Sequence, residues 1–316
     1  MNTGSLTQGG GTLLAIDWGT SSLRGALLDA RGKVLEERSS AQGILSVPTG
    51  GFPAVFEAQF GEWARSGARH CLIAGMAGSK QGWLEAPYCA CPAGFADIAA
   101  QLAWIAGAGL PLPVAIVPGL SCNHASPAFP QRGLPDVLRG EETQVIGAIQ
   151  ITGVHDGVFV LPGTHSKWVT VRGGRITGFK TYMSGEFYAL LTRHSLLAKS
   201  VALDAPFDSA AFAAGVTQSR NGAGLLHNAF GTRTLALFAR MDAAALTSYL
   251  SGLVIGDELR AQVNSAVTGV VLIGAPGLLH PYTEALAIHS IGSRALGAEA
   301  TWAGLRALAT TLEHSA

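Results

Sequence analysis

Charged residues are scarce in this sequence of 316 residues, and the two signs balance. Lys and Arg number 21, Asp and Glu also number 21, and together they make up 13% of the chain. Disordered proteins combine low hydrophobicity with high charge, so a chain with 48% hydrophobic residues does not belong to that class. A formal net charge of zero offers no basic surface for nucleic acid or for an anionic membrane. The sequence therefore predicts no nucleic-acid or membrane partner, and any bound anion must be held by a local site.

Cysteine and uninterrupted apolar runs are also rare. Four cysteines are present: Cys71, Cys89, Cys91 and Cys122. They are too few for a disulfide framework, and their spacing is not that of a zinc site. The N-terminal segment has neither the basic nor the apolar region of a signal peptide. The stretches 98–131 and 261–283 lack charged residues but are interrupted by prolines and polar residues, so neither is typical of a membrane span. The sequence predicts a cytoplasmic protein, and its oligomeric state stays open.

The common nucleotide-binding and hydrolase motifs are missing. The chain has no G-x-x-x-x-G-K-[ST], no G-x-G-x-x-G and no protein-kinase set of H-R-D with D-F-G. The G-x-S-x-G nucleophile elbow and the G-A-G-D motif of ribokinase-type kinases are absent as well. A nucleotide, if bound, must be held by a different kind of fold.

An internal repeat is the most informative feature that is present. Short apolar runs separated by glycine turns predict a three-stranded meander, and the pattern occurs twice: 12–17, 22–30 and 33–39, then 157–163, 167–173 and 175–182. The pair Gly19-Thr20 aligns with Gly163-Thr164. The two copies lie in different halves of the chain, and a repeat with so long a period predicts two related domains rather than a solenoid. We predict a domain of residues 1–139 and a domain of residues 140–316, with the last helix packing back on the first.

The remaining periodicity predicts an α/β protein. Further strands are expected at 71–76, 114–119 and 269–274. Helices are expected at 52–67, 94–107, 183–198, 206–214 and 242–262, with further helices to the C-terminus.

The turn after the first strand could hold a metal and a phosphate. Asp17 ends the strand and could hold a hydrated Mg²⁺, which prefers one or two carboxylates plus substrate phosphates. Backbone amides and hydroxyls of Gly19, Thr20 and Ser21 could bind an anion, and Arg24 could pair with a phosphoryl oxygen. A plain hairpin turn in which Asp17 serves its own backbone explains the pattern equally well.

The matching turn in the second half repeats Gly163 and Thr164 but has no acid before it. Two such turns in duplicated domains would face each other across a cleft and could share the phosphates of one nucleotide. Lys167 follows this turn and could neutralise phosphate charge, although a strand-edge lysine is more often solvated.

Two acids follow Gly140 at the start of a predicted helix. Carboxylates at a helix N-terminus are stabilised by the helix dipole, which alone could explain Glu141 and Glu142. Alternatively, one of them takes the proton from a substrate hydroxyl.

Two further loops are candidates for ligand contact. Ser79, Lys80, Gln81 and Trp83 form a polar cluster with one aromatic residue, suited to a polyhydroxylated or carboxylated ligand, although a surface loop would look the same. Gly274 and Gly277 lie between a strand and a predicted helix, where they could admit a flat adenine ring or simply form an α/β crossover.

Four segments carry a family resemblance: GMAGSKQGW, LRGEETQ, PGTHSKW and YMSGEFYALLTRHSLL (182–197). With the ordered turns they resemble the 2-dehydro-3-deoxygalactonokinases, sugar-acid kinases of the actin-like, hexokinase-like ATPase superfamily. The resemblance extends over roughly residues 12–290. It implies two duplicated actin-like (ribonuclease H-like) α/β domains with an interdomain cleft. It also implies ATP, Mg²⁺ and transfer of the γ-phosphoryl group to the 6-hydroxyl of 2-dehydro-3-deoxy-D-galactonate, a step of galactonate catabolism.

The resemblance also implies residue roles. Asp17 matches the metal acid, and the other matching positions are Gly19, Thr20, Ser21 and Arg24 for the first phosphate turn, Gly163 and Thr164 for the second, Gly274 and Gly277 for adenosine, and Ser79 and Lys80 for the sugar. A lysine in the sugar loop suits a substrate that bears a carboxylate.

One departure from the family of carbohydrate kinases concerns the base. Related kinases have a Gly-Asp pair at the start of the connecting helix, whereas this chain has Gly140-Glu141 with a second acid beside it. The base therefore stays open between Glu141 and Glu142, and the spacing favours Glu141. Two alternative functions stay open as well: a kinase for another keto-deoxy or plain sugar acid, and a sugar-responsive regulator without catalysis.

Overall fold

A computed structural model of the protein describes residues 12–107, 109–262 and 267–313. Its strands in chain order are β1 (Thr12–Trp18), β2 (Leu23–Leu28), β3 (Val34–Ser40), β4 (Ala68–Ala74), β5 (Tyr88–Ala90), β6 (Ala103–Trp104), β7 (Val114–Ile116), β8 (Gly119–His124), β9 (Leu134–Leu138), β10 (Gly157–Leu161), β11 (Ser166–Arg172), β12 (Arg175–Tyr182), β13 (Gly269–Ile273) and β14 (Gly292–Leu296). Its α-helices are α1 (Phe52–Arg65), α2 (Phe95–Ala99), α3 (Glu141–Thr152), α4 (Ser184–His194), α5 (Ser209–Gln218), α6 (Leu225–Leu237), α7 (Ala243–Gln262), α8 (Pro276–Ile288) and α9 (Glu299–Glu313).

The chain divides into two compact units. The first comprises the described residues up to His155, the segment Arg172–Gly178 and the described residues from Ala298 onward. The second comprises Asp156–Val171 and Phe179–Gly297. This division differs from the boundary expected between residues 139 and 140, because α3 packs within the first unit against α9.

The first unit is built on a six-stranded sheet in the order β3-β2-β1-β4-β7-β6. Strands β1, β2 and β3 form the expected antiparallel meander, and β4 and β7 continue the sheet in parallel with β1. The central strand is fully buried from Leu13 to Ile16, since elements cover both of its faces, which is why it is a continuous apolar run. Aromatic side chains of α1, among them Phe56 and Phe60, fill the core beside it.

The second unit repeats this arrangement. Its sheet has the order β12-β11-β10-β13-β14, in which β10 pairs antiparallel with β11 and parallel with β13. The same sequence of meander, central strand and parallel strands therefore occurs in both units. The duplicated α/β fold predicted from the repeat is confirmed.

Other elements differ from the sequence prediction. The helix predicted over 94–107 is wrong: α2 ends at Ala99, and Ala103–Trp104 instead forms β6, which pairs antiparallel with β7 at the sheet edge. A three-stranded sheet of β5, β8 and β9 was not predicted. Its strands lie in a segment rich in proline and glycine, where periodicity is weak.

Within the described residues, no helix combines the length and hydrophobicity needed to cross a membrane.

Candidate active site

Asp17 and Arg24 lie opposite each other on β1 and β2. They form a register pair, and the Arg24 Nη2 donates a hydrogen bond of 2.5 Å to the Asp17 Oδ2. The Asp17 side chain is 19% exposed, so its carboxylate lies at the surface of the first unit. Arg24 was expected to pair with a phosphoryl oxygen, whereas the structure pairs it with the candidate metal acid.

The turn after β1 is not the tight hairpin turn considered as an alternative. Type I′ and II′ turns need positive φ angles, and none of the residues 19–22 has one. The Gly19 N–H donates to the Ser22 carbonyl at 2.9 Å, and Ile44 donates its N–H to the Gly19 carbonyl at 3.0 Å. The side chains of Thr20 and Ser21 are exposed. The turn therefore presents hydroxyls to solvent from a backbone that is fixed on both sides.

Two glycines bring the start of α3 close to Asp17. Gly75 and Gly140 have φ angles of 92° and 103°, which only glycine adopts without strain. A Cβ on Gly140 would lie 3.2 Å from the Gly75 Cα, and a Cβ on Gly75 would lie 3.2 Å from the Asp17 Oδ1. Little more than the backbone at Gly75, just after β4, therefore lies between Asp17 and the N-terminus of α3. This close approach requires glycine at both positions.

The two acids at the start of α3 lie in different surroundings. The Glu141 side chain is half-buried, and its Oε2 accepts a hydrogen bond of 2.9 Å from the Arg139 N–H. Glu142 is fully buried, its Oε2 accepts from the Gly140 N–H at 2.7 Å, and its Oε1 accepts from the Thr143 hydroxyl at 3.0 Å. Burial, followed by the negative charge of Glu141, raises the pKa of Glu142 to about 8. At neutral pH Glu142 therefore carries a proton and is a poor proton acceptor.

The predicted sugar loop follows β4. Lys80 and Gln81 are exposed, and Ser79 is half-buried with a buried Oγ that has no hydrogen-bond partner among the described residues. Trp83 packs its ring against Trp18 and Phe56, with centroid distances of 6.0 and 5.6 Å. Most of Trp83 therefore belongs to the core of the first unit, and contact of its remaining surface with substrate stays a prediction.

A cavity of about 210 Å³ lies in the second unit. Its lining is largely apolar or small and comes from the turn after β10 and from α4, α7 and α8: Pro162, Gly163, Ser184, Gly185, Tyr188, Ser251, Val254, Ile255, Gly277, Leu278, Pro281 and Tyr282. Of the residues predicted to bind nucleotide, Gly163 and Gly277 line this cavity. Gly274 lies just before α8, where its N–H donates to the Leu296 carbonyl at 3.0 Å.

The second glycine turn is held by the start of α4. Glu186 donates its backbone N–H to the Thr164 carbonyl at 3.0 Å, and its carboxylate lies 2.6 Å from the His165 Nε2. A Cβ on Gly185 would lie 2.4 Å from the Gly163 carbonyl oxygen, so the helix can approach the turn only with glycine at this position. Thr164 is exposed. The string SGE at residues 184–186 thus supports the Gly163-Thr164 turn.

A buried carboxylate near this turn connects several elements of the second unit through hydrogen bonds. Glu258 of α7 is 2% exposed and accepts hydrogen bonds from four donors on β11, α4 and α8: Ser166, Trp168, Ser184 and Tyr282. Lys167 lies between two of these donors in sequence, is buried, and donates from Nζ to the Thr181 Oγ1 at 2.9 Å. It is therefore not the solvated strand-edge lysine considered above, and its contact with phosphate stays a prediction.

Sequence reasoning missed Glu258 and Arg139. Glu258 falls at the same helical face as Leu250 and Val254, both buried, so an acid at that spacing was a signal of a buried carboxylate. Arg139 directly precedes Gly140 in the string LRGEETQ, where no periodicity marks it as a functional residue.

Comparison with known proteins identifies the family to which this chain belongs. The model of the 2-keto-3-deoxy-galactonokinase family matches residues 17–308. A Rhizobium meliloti protein named as a probable 2-dehydro-3-deoxygalactonokinase is 37% identical, with 96% of this chain and 98% of that protein covered. An Escherichia coli 2-dehydro-3-deoxygalactonokinase is 32% identical over 94% of this chain and 97% of its own. A solved Sinorhizobium meliloti structure described as a protein of this kind has a TM-score of 0.85 at 36% identity, with 95% of this chain and 99% of that chain covered.

Proposed function

The chain belongs to the 2-keto-3-deoxy-galactonokinase family, and on that premise we propose that it phosphorylates the 6-hydroxyl of 2-dehydro-3-deoxy-D-galactonate with ATP. Family membership makes the protein a sugar-acid kinase. The stereochemistry of the acid, the use of Mg²⁺ and the residue roles are parts of the proposal. A kinase that consumes ATP in galactonate catabolism is expected to work in the cytoplasm.

The cavity of the second unit is the proposed adenosine site. Its apolar walls suit a purine ring, and Gly163 and Gly277 leave backbone rather than side chains at two of its edges. The phosphates would follow the exposed backbone of the Gly163-Thr164 turn, as the family resemblance implies. Glu258 supports this site by fixing α4 and α8, which line the cavity, and β11, which follows the Gly163-Thr164 turn.

Asp17 fits a site for Mg²⁺. This ion is usually held by one or two carboxylates, with water and substrate phosphates as its other ligands, so a single partly exposed carboxylate is sufficient. Bound there, Mg²⁺ would neutralise charge on the transferred phosphoryl group. Arg24 holds the Asp17 carboxylate in place and is thus a positioning residue in this proposal.

Glu141 is the proposed general base. It lies at the N-terminus of α3, on a helix start that Gly140 and Gly75 hold beside Asp17. Glu142 cannot accept a proton readily at neutral pH because burial keeps it protonated. Its hydrogen bonds to Gly140 and Thr143 instead fix the first turn of α3. Proton transfer to Glu141 would make the 6-oxygen a better nucleophile for in-line attack on the γ-phosphorus.

The observation that carries the proposal is the close approach of Gly75 and Gly140, which brings the start of α3, and with it the backbone of Glu141, close to Asp17 in the first unit. The test is a coupled ATP-consumption assay with a panel of 2-keto-3-deoxy sugar acids, plain aldonic acids and neutral sugars. We expect turnover with the galacto acid and little ADP formation without an acceptor. Preference for a neutral sugar, or ATP hydrolysis unaffected by every acid, would contradict the proposal.

A further inference from the structure

Arg139 carries buried hydrogen-bond donors that nothing in the described part of the chain uses. Its Nη2 donates to the Ala86 carbonyl at 2.9 Å, and its guanidinium carbon lies 4.4 Å from the centroid of the Tyr88 ring. Its Nε and Nη1 are buried without a hydrogen-bond partner. These two nitrogens carry three N–H bonds. Among the described residues no carboxylate lies within ion-pair distance of this guanidinium.

A buried guanidinium with unused N–H donors is expected to bind an anion. Buried donors without acceptors cost free energy, and the cost is larger for a charged group than for a neutral one. Native proteins leave few such groups, and the exceptions often belong to functional sites. The carbonyl of Ala86 and the face of Tyr88 fix the guanidinium plane, so the directions of the unused N–H bonds are fixed as well. Carboxylates and phosphates are the anions that a guanidinium binds, and of the two the carboxylate is the group that a sugar acid carries before it is phosphorylated.

A second orphaned donor lies on the adjoining segment. The Oγ of Ser79 is buried and has no partner, like the Arg139 nitrogens. The residue before it, Gly78, leaves room for the guanidinium: a Cβ there would lie 2.7 Å from Nη1. Arg139 and the start of the sugar loop are therefore in contact at Gly78, and both offer a hydrogen-bond donor that the protein itself does not use.

Arg139 is also tied directly to the proposed base. Its own backbone N–H donates to the Glu141 Oε2 at 2.9 Å, so the base and the guanidinium belong to one short segment. A substrate with a hydroxyl at one end and a carboxylate at the other could therefore be held at both ends by residues 139–141. Lys80, the residue expected from sequence to bind the carboxylate, is exposed instead.

We propose that Arg139, assisted by Ser79, forms the subsite for the carboxylate of the sugar acid. This inference rests on the proposed function and names the group that selects acids over neutral sugars. The substrate class is a polyhydroxylated acid whose carboxylate lies at the opposite end from the phosphorylated hydroxyl. Because the donors are buried, a local rearrangement has to expose them before the carboxylate can reach them.

The test compares two substrates across a set of variants. The first substrate is the acid that the wild-type enzyme phosphorylates best, and the second is its analogue with CH₂OH in place of the carboxylate. Arg139→Met should raise KM for the acid by about 10- to 100-fold, the range of a charged hydrogen bond, with kcat and KM for ATP changed less than about threefold. For the neutral analogue the same variant should have little effect. Arg139→Lys should recover part of the affinity for the acid.

The controls separate binding from folding. Arg132→Met removes an exposed arginine from the same stretch of chain and should leave both substrates unaffected. Ser79→Ala breaks no hydrogen bond of the described protein, so it should fold and still raise KM for the acid several-fold. It keeps the proposal testable if Arg139→Met proves unstable in thermal unfolding.

Three outcomes would overturn the subsite. The first is an equal loss of kcat/KM for both substrates in folded Arg139→Met, which would indicate a structural role. The second is a raised KM for the acid in Lys80→Met but not in Arg139→Met. The third is an unchanged KM for the acid in Ser79→Ala together with unchanged selectivity in Arg139→Lys. Failure of the wild-type enzyme to phosphorylate any acid is a different result, because it contradicts the proposed function itself.

Discussion

At the scale of single residues, two adjacent glutamates lie in different surroundings, and burial raises the pKa of Glu142 to about 8. Glu141 is half-buried and Glu142 is fully buried, although both lie in the first turn of α3. Successive residues of a helix point about 100° apart, which is enough to place one in the core and one at the surface.

The first prediction compares Glu141→Gln with Glu142→Gln. Glu141→Gln should lower kcat at least about 100-fold with little change in KM for ATP, because it removes the proposed proton acceptor. Glu142→Gln replaces a carboxyl that is protonated at pH 7 by an amide of the same shape, so kcat should fall much less. The measurement is kcat at pH 7 with both substrates saturating. A dead Glu142→Gln beside a healthy Glu141→Gln would reverse the assignment.

The second prediction concerns stability and pH. The pKa of Glu142 is about 8 in the folded protein, above the value near 4.5 of an unburied glutamate, so the folded state retains a proton that the unfolded state loses. The contribution of Glu142 to the free energy of unfolding therefore falls as pH rises from about 4.5 to about 8, by about 1.4 kcal/mol per pH unit. Glu142→Gln should lack this slope. Urea unfolding of both proteins at pH 5, 6, 7 and 8 measures the difference, and parallel pH profiles would contradict it.

The third prediction concerns the candidate metal acid. Asp17→Asn removes the charge proposed to hold Mg²⁺ and weakens the pair with Arg24, so kcat/KM should fall more than about 100-fold, or about 3 kcal/mol. The matched control is Asp29→Asn, at the other end of β2, where the Asp29 carboxylate accepts hydrogen bonds from the backbone of the hairpin turn. Activity of Asp17→Asn within tenfold of wild type would remove Asp17 from the metal site.

At the scale of elements, the start of α8 forms one wall of the cavity in the second unit. Gly277 lines the cavity, and a Cβ at this position would meet no other atom within 4 Å. Gly185 of α4 lines the same cavity but has no such space, because its Cβ would overlap the Gly163 carbonyl. The missing side chain at Gly277 therefore leaves the cavity open, whereas the missing side chain at Gly185 allows α4 to pack against the Gly163-Thr164 turn.

The fourth prediction follows from the open space at Gly277. Gly277→Leu should fold normally and raise KM for ATP at least about tenfold, because the new side chain would occupy the proposed adenosine site. KM for the sugar acid should change much less. Gly178→Leu, at a glycine with equally open space on β12, is the control for the effect of the substitution itself. Unaltered ATP kinetics in Gly277→Leu would place the nucleotide elsewhere.

Element by element, the sequence predicted what periodicity and glycine turns specify. The two meanders, β4 and β13 follow from short apolar runs bounded by glycine turns, and α3 follows from the helical character of the segment after Gly140. The edge strand β6 and the sheet of β5, β8 and β9 do not, because short strands with exposed residues such as Tyr88 and Val137 lack an apolar signature. Arg139 illustrates the same limit in the site. Its proposed role rests on buried donors that have no acceptor, and only the three-dimensional contacts show that they have none.

At the scale of the whole molecule, the last helix, α9, belongs to the first unit although the residues before it belong to the second. α9 packs against α3 so closely that the helices touch through their backbones. A Cβ on Gly147 would lie 1.8 Å from the Ala300 carbonyl oxygen, and one on Gly304 would lie 1.9 Å from the Thr143 carbonyl oxygen. The Thr143 hydroxyl also donates to Glu142. The position of α3, and with it the position of both acids, therefore depends on a helix that is far away in sequence.

The fifth prediction tests this dependence with Gly304→Ala. Alanine favours helices by about 1 kcal/mol over glycine, yet here its methyl group must push α9 away from α3, and overpacking of this kind typically costs about 1–3 kcal/mol. Because the separation disturbs the helix that carries Glu141, we expect a lower midpoint of thermal unfolding and a lower kcat. The affinity for ADP should stay within about threefold of wild type, since the cavity lies wholly in the second unit.

Gly231→Ala is the control, because a Cβ there would make only an ordinary contact, 3.8 Å from the Tyr249 hydroxyl, and α6 would gain the helix preference alone. An unchanged midpoint in Gly304→Ala would mean that α9 can shift without cost, and a parallel loss of ADP affinity would mean that the disturbance is not confined to the first unit.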